Sequence, residues 1–321
     1  MISASAPGKI ILFGEHAVVY GRPAIAAPLA QLRATATVAP GESGVRLVAP
    51  DLDSAQWLHE ADQNDALAAA LRLAQTATGI RQFPPMTITV TSQIPVASGL
   101  GSGAAITAAT IRAVVEFLGR ADLLTPAWVS ALTYEVEKIH HGTPSGIDNT
   151  VVAYEMPVYF ARQQPHNHIE PFAVAHPLRL LVADTGVHSH TRDVVLDVRR
   201  QWEADPDRFE TIFSGCGDIA QAARHAIEMG QVAEIGRLMQ ANHELLVQMT
   251  VSSVELDNLV RTAWQAGALG AKLSGAGRGG NMIALVTKET ETAVRHALFA
   301  SGARTVLTTV IAHNTVRLAQ S

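Results

Sequence analysis

Three polar residues interrupt an otherwise apolar, strand-like stretch near the start of the chain. They are Lys9, Glu15 and His16, within residues 7–21 (PGKIILFGEHAVVYG). Burying such groups costs free energy unless they have partners or a task, so their position marks a candidate site. A second set lies in residues 137–149, EKIHHGTPSGIDN. Glu137 falls in the last turn of a predicted helix, where the helix dipole disfavours an anion by about a few tenths of a kcal/mol. That placement points to a cationic partner such as a metal. Glu137 and His141 are four residues apart and share a helix face. Asp148 falls in the first turn of the next short helix, where the dipole favours an anion. Ser145 and Asp148 also fit a plainer role, capping and solvating a helix start.

Two glycine-rich segments have a different chemistry. Residues 95–105 read PVASGLGSGAA, after a predicted strand and at the opening of a predicted helix. Glycines let a backbone wrap a ligand closely, and a helix N-terminus adds a positive dipole end. Together they suit a phosphate. The segment lacks the Gly-Lys-Ser/Thr ending of a Walker loop and does not fit a dinucleotide fingerprint. Taken alone it fits equally a tight turn packing a helix on a sheet. Residues 272–281, KLSGAGRGGN, lie between two predicted strands. A hairpin needs one or two glycines at positive φ, and this stretch has four. It reads as a loop that approaches a ligand, or as a long flexible turn.

The elements that must position these residues follow from periodicity. Residues 8–19 read as two short β segments broken by Gly14, and 25–38 as a strand. Residues 62–78 form a helix closed by Gly79. Residues 86–90 alternate as a strand. From Ser102 the apolar spacing turns helical as far as Gly119. A second helix opens on Thr125 with Pro126 at its first position and ends at Gly142. Thr143-Pro144 then looks like a cap for a short helix through Ile147 and Val151. Residues 166–177 lack periodicity and read as a domain linker. A strand at 178–183 leads to helices at 191–202, 209–229, 232–248 and 254–266. Strands at 271–273, 282–286 and 304–311 close the chain, with one helix before the last.

Bulk properties narrow the function. At 321 residues, 48% hydrophobic and 17% charged, the chain can bury two cores. A net charge of -5 without Lys/Arg clusters argues against a nucleic-acid or anionic-membrane surface. The single cysteine, Cys216, forms no internal disulfide, and no Cys/His spacing resembles a zinc site. With no signal-peptide pattern and no long apolar run, a cytoplasmic protein is expected.

In this order and spacing the four segments resemble the GHMP kinases, over nearly the whole chain. KIILFGEHAVVYG and HGTPSGIDN look most like the branch that phosphorylates mevalonate. Galactokinase-like members follow Gly-Glu-His with polar residues, whereas this chain has Ala17, Val18, Val19 and Tyr20. An apolar wall there suits a substrate with a methyl branch. The resemblance implies an α+β, two-domain fold with the active site between the domains. Residues 1–170 would be an ATP-binding domain like the second domain of ribosomal protein S5, and 171–321 a ferredoxin-like domain. The implied reaction is ATP- and Mg²⁺-dependent phosphorylation of the 5-hydroxyl of mevalonate. A sibling kinase acting on phosphomevalonate, homoserine or another small alcohol is the alternative. A homodimer is compatible with the sequence but not demanded by it.

The same resemblance implies roles. Asp148 and Lys9 would be catalytic. Pro95, Ser98, Gly99, Leu100, Gly101, Ser102, Gly103 and Ala104 would bind phosphate, and Ser102 and Glu137 would hold Mg²⁺. Glu15, His16, Ser145, Thr191, Gly275 and Ala276 would contact the substrate, and residues around Asn64 the adenine. Three positions depart from the family pattern. Gly103 stands where a second serine is usual, Arg278 at a usual glycine, and Asn281 where a cysteine or another small residue is frequent.

Overall fold

The computed structural model describes residues 1–95, 99–141, 144–163 and 167–312, with His140 and His141 given by their backbone alone. Contacts divide the chain into two compact units. The first comprises Met1–Lys9 and Pro28–Glu155, and the second Ile10–Ala27 and Met156–Ser321. The division does not follow the single cut expected near residue 170. Two long strands, β1 (Ile2–Phe13) and β2 (Ala24–Pro40), each contribute to both units.

In the first unit, β2 pairs antiparallel with β5 (Met86–Ser92). β5 pairs parallel with β3 (Val45–Ala49), which pairs antiparallel with β4 (Ser54–Trp57). Four helices accompany this sheet: α1 (Ala66–Thr78), α2 (Ser102–Phe117), α3 (Pro126–His141) and α4 (Ile147–Tyr154). Their packing follows from small residues at helical spacing. Ala69, Ala70 and Ala74 of α1 meet Ile111 and Val115 of α2 and Val136 of α3 in one buried cluster. Caps fix the helix starts. The Asp65 carboxylate accepts the Ala68 N–H, and the Thr125 hydroxyl accepts that of Trp128. Gly146, with φ 92°, is the N-cap of α4; Thr143, expected in that role, lies outside the described residues.

The second unit is built on a four-stranded antiparallel sheet. Its order is β11 (Thr305–Ile311), β8 (Leu178–Asp184), β10 (Asn281–Val286), β9 (Gly270–Ser274). Helices α5 (Thr191–Ala204), α6 (Pro206–Glu228), α7 (Val232–Gln248) and α8 (Val254–Gln265) separate β8 from β9. A further helix, α9 (Glu291–Ala300), separates β10 from β11. Strand, helices, two strands, helix, strand is the ferredoxin-like succession. β10 is buried along its whole length, which explains its run of uninterrupted apolar residues after Asn281.

Two sequence expectations fail here for identifiable reasons. The expected second β segment after Gly14 is a 3₁₀ turn, Ala17–Tyr20. Gly14 (φ 89°) and His16 (φ 57°) turn the backbone out of the strand. Ala17 and Tyr20 then enter the second unit's core, with the Tyr20 ring stacked on Phe213 at 4.0 Å. Those two residues therefore pack the core instead of walling a substrate. The expected linker holds a strand, β7 (His168–Pro171), paired with β6 (Val158–Ala161), which pairs in turn with Ala24, Ile25 and Ala26. Arg224 of α6 holds the Glu170 carboxylate through two hydrogen bonds, at 2.5 and 2.8 Å.

Candidate active site

In the first unit, the end of β1 and the glycine loop before α2 meet closely. The Lys9 N–H donates to Leu100 O at 2.8 Å. A Cβ on Gly8 would lie 2.8 Å from that oxygen, and one on Gly101 would lie 2.7 Å from Lys9 Cγ. Gly101 also has φ 74°. Glycine is required at Gly101 for both reasons, and the loop backbone lies along the lysine stem. Leu100 and Ala104 are buried, so any contact they make with a phosphate is through the backbone. Ser102 is the first residue of α2 and partly exposed. Pro95 and Gly99 are exposed on either side of a segment that includes Ser98, which lies outside the described residues.

Lys9 Nζ lies 3.1 Å from Asp148 Oδ1. Asp148 is in the first turn of α4, as the sequence suggested. Glu137, near the end of α3, is buried. Burial first, and then the nearby Asp148 charge, push its carboxyl up to about 7, and Lys9 pulls it partly back. Two carboxylates and one ammonium thus share a small volume. A Cβ on Gly103 would sit 3.4 Å from Glu137 Oε1, so the missing side chain leaves space directly beside that carboxylate. A divalent cation fits this donor set. Mg²⁺ takes one or two protein oxygens and keeps waters and phosphate oxygens for the rest. Among the described residues there is no group of three or more His, Cys, Asp or Glu that could hold a metal alone. Ser145 is exposed, and its hydroxyl accepts the Ile147 N–H, which is the capping role the sequence also allowed.

A pocket of about 240 Å³ opens in the same unit. Leu47, Ser54, Gln56, Leu67, Ser92 and Ile106 are among its lining residues. Ile106 lies one turn beyond Ser102 on α2. Asn64 is exposed in a turn; its neighbours Asp65 and Ala66 line the pocket. No sequence signal marks the rest, since β3 and β4 are short and half exposed.

The second unit holds the other predicted residues. Glu15 and Lys272 are both fully buried and form an ion pair. Lys272 also donates to Leu273 O at 2.6 Å. Burial lowers the Lys272 pKa, opposed by the Glu15 charge. Glu15 was expected to meet the substrate directly, but its side chain instead serves Lys272 inside the core. His16 Nε2 lies 2.8 Å from Ala276 O. A carbonyl only accepts, so that nitrogen carries the proton and Nδ1 of the neutral ring is an acceptor. Burial is the main cause that lowers the His16 pKa; the Ala276 bond opposes it and the Arg278 charge adds to it. Gly275, at φ 96°, and Ala276 are part-exposed, and Thr191 is the exposed first residue of α5. Asn281 is buried at the start of β10.

This chain is 37% identical to the mevalonate kinase of Thermococcus sibiricus, over 96% of both chains. The chain belongs to the GHMP kinases, in the mevalonate kinase family. Family models agree: "GHMP kinases N terminal domain" matches residues 64–155 and "GHMP kinases C terminal" matches residues 222–304. The mevalonate kinase of Pyrococcus abyssi is 36% identical, over 92% of this chain and 93% of its own. Among solved structures, L. major mevalonate kinase in complex with R-mevalonate superposes with a TM-score of 0.83. That protein is 30% identical, with 97% of this chain and 96% of that one covered.

Proposed function

We propose that the chain transfers the γ-phosphoryl group of ATP to the primary 5-hydroxyl of mevalonate, giving 5-phosphomevalonate and ADP. The observation that carries this is the Lys9–Asp148 pair, 3.1 Å apart beside the glycine loop, in a chain alike from end to end to mevalonate kinases. Phosphoryl transfer passes through a loose transition state, so positioning and charge stabilisation do most of the catalytic work. The Asp148 carboxylate orients the attacking hydroxyl and accepts its proton as the bond to phosphorus forms. Lys9 holds that carboxylate in place and offsets the charge gathering beside it. Backbone amides of Gly99, Leu100, Gly101, Ser102, Gly103 and Ala104, with the N-terminus of α2, cradle the phosphates.

Glu137 and the Ser102 hydroxyl are the residues that would hold Mg²⁺, whose charge neutralises the phosphate oxygens when it is bound. The pocket lined by Leu47 and Ile106 takes the adenine, since it is largely apolar and sits one helical turn from Ser102. His16, through Nδ1, and Thr191 meet the substrate's polar groups, with Gly275 and Ala276 beside them. A cytoplasmic enzyme accords with the single buried cysteine.

A coupled ADP-release assay with Mg²⁺-ATP and a panel of alcohols tests the reading. Turnover is expected with mevalonate and not with phosphomevalonate, homoserine or galactose. Release of ADP with one of the latter and none with mevalonate would overturn the substrate assignment.

A further inference from the structure

Arg278 is the only residue between Gly275 and Gly280 with a side chain longer than a methyl group. Its backbone holds φ 54°, a conformation glycine would adopt at no steric cost. A non-glycine residue kept there is an outlier that points to a task. The guanidinium pairs with the Asp197 carboxylate, midway along α5. Its Nε donates to Thr250 O at 3.1 Å, just beyond α7, and the Arg278 N–H donates to Val251 O at 2.7 Å. On the loop's other side, the Ser189 hydroxyl donates to Gly277 O at 2.6 Å, and the Gly280 N–H to Val187 O at 2.8 Å. The fit is tight: a Cβ on Gly277 would lie 1.9 Å from Val251 O. The loop is therefore gripped between the segment entering α5 and the turn after α7. Arg278 is its one side chain that reaches both α5 and that turn.

We propose that Arg278 is a positioning residue for the transfer. By pairing with Asp197 it ties the loop to α5, so that the Ala276 carbonyl fixes His16 as its Nε2–H tautomer and Thr191, at the head of α5, keeps its place relative to His16. This rests on the reading in which His16 and Thr191 meet the alcohol substrate. The guanidinium is committed to Asp197 and Thr250 and does not serve as a phosphate ligand. Its charge has a second effect of the same sign: with burial, it disfavours a protonated His16 and preserves Nδ1 as an acceptor.

The test uses the full chain with Arg278→Gly, Arg278→Lys, Asp197→Asn and the double variant Arg278→Gly/Asp197→Asn. Arg278→Gly removes the pair while relieving the positive φ, so folding should not suffer. KM for mevalonate should rise about tenfold, the loss that goes with one misplaced hydrogen bond, with little change in kcat or in KM for ATP. Arg278→Lys should restore part of the loss. The double variant should be no worse than the poorer single, because both remove one interaction. The ring ¹⁵N shifts of His16 should leave the pure Nε2–H pattern in Arg278→Gly. Unchanged KM for mevalonate refutes the proposal. So does a rise in KM for ATP, which would make Arg278 a phosphate ligand, and so does a loss of kcat in proportion to lowered stability. If the wild-type chain does not phosphorylate mevalonate, the functional reading fails separately. The ring spectrum then still decides: an unaltered His16 tautomer in Arg278→Gly refutes the clamp.

Discussion

Replacing Glu137 by Gln should make the protein more stable at alkaline pH while abolishing its turnover. Folding moves the Glu137 carboxyl from 4.5 to about 7, through burial and the neighbouring Asp148 charge. The sign follows from proton binding. Below pH 4.5 the group is protonated in both folded and unfolded chains and contributes no difference. Between 4.5 and about 7 the folded chain keeps the proton that the unfolded chain has lost, so stability falls as pH rises. Above that window the ionised, buried carboxylate costs at most about 3 kcal/mol. Gln keeps the size and the polar contacts but never ionises, so it escapes the cost. For a chain of this size the melting temperature of Glu137→Gln should exceed the wild type by roughly 5 °C at pH 8 in the absence of nucleotide. Scanning calorimetry at pH 4.5 and pH 8 is the assay, and the two proteins should coincide at the lower pH. A Gln variant that is less stable than the wild type at pH 8, or equally favoured at both pH values, would refute the reasoning.

Three other outcomes follow from the geometry. Lys272→Met should destabilise the chain by about 3–5 kcal/mol, because it strands the Glu15 carboxylate in the core, and Lys272→Met/Glu15→Leu should recover much of that in urea unfolding. Gly101→Ala should cost more than about 1 kcal/mol and lower kcat/KM, since the added methyl collides with the Lys9 stem and φ is positive; wild-type stability and turnover would contradict the close approach described for that loop. Ser102→Ala should lower Mg²⁺-dependent turnover more in the natural chain than in a Gly103→Ser background, where a second hydroxyl stands beside Glu137. Equal losses in titrations of activity against Mg²⁺ would remove Ser102 from the metal site.

Much of the fold was legible because the strongest local signals are also the ones the tertiary structure keeps. Gly79, Thr125 and Pro126 mark helix ends whose caps are satisfied within the same segment. The four motif segments held most of the candidate site, since the loop before α2 and the start of α4 need particular residue types for local backbone reasons. What stayed hidden is non-local. β3 is short and is held by a parallel partner far along the chain, β5, with Val45 opposite Met86. The burial of Glu15 against Lys272, 257 residues away, has no signature in either neighbourhood. Asp197 reads as an ordinary helix-surface acid until Arg278 is found beside it. Ala17 and Tyr20 looked like a substrate wall because their apolar character is visible and their direction is not.

The central claim is that Lys9 and Asp148 direct the γ-phosphoryl group to a primary alcohol, the 5-hydroxyl of mevalonate. Proton-coupled ³¹P NMR of the product formed by the purified chain with Mg²⁺-ATP and mevalonate tests it most directly. The account predicts a new phosphomonoester signal split into a triplet by the two C5 methylene protons, and no such signal from the Asp148→Asn variant. An unsplit phosphomonoester, as from the tertiary 3-hydroxyl, or a triplet of undiminished rate from Asp148→Asn, would contradict it.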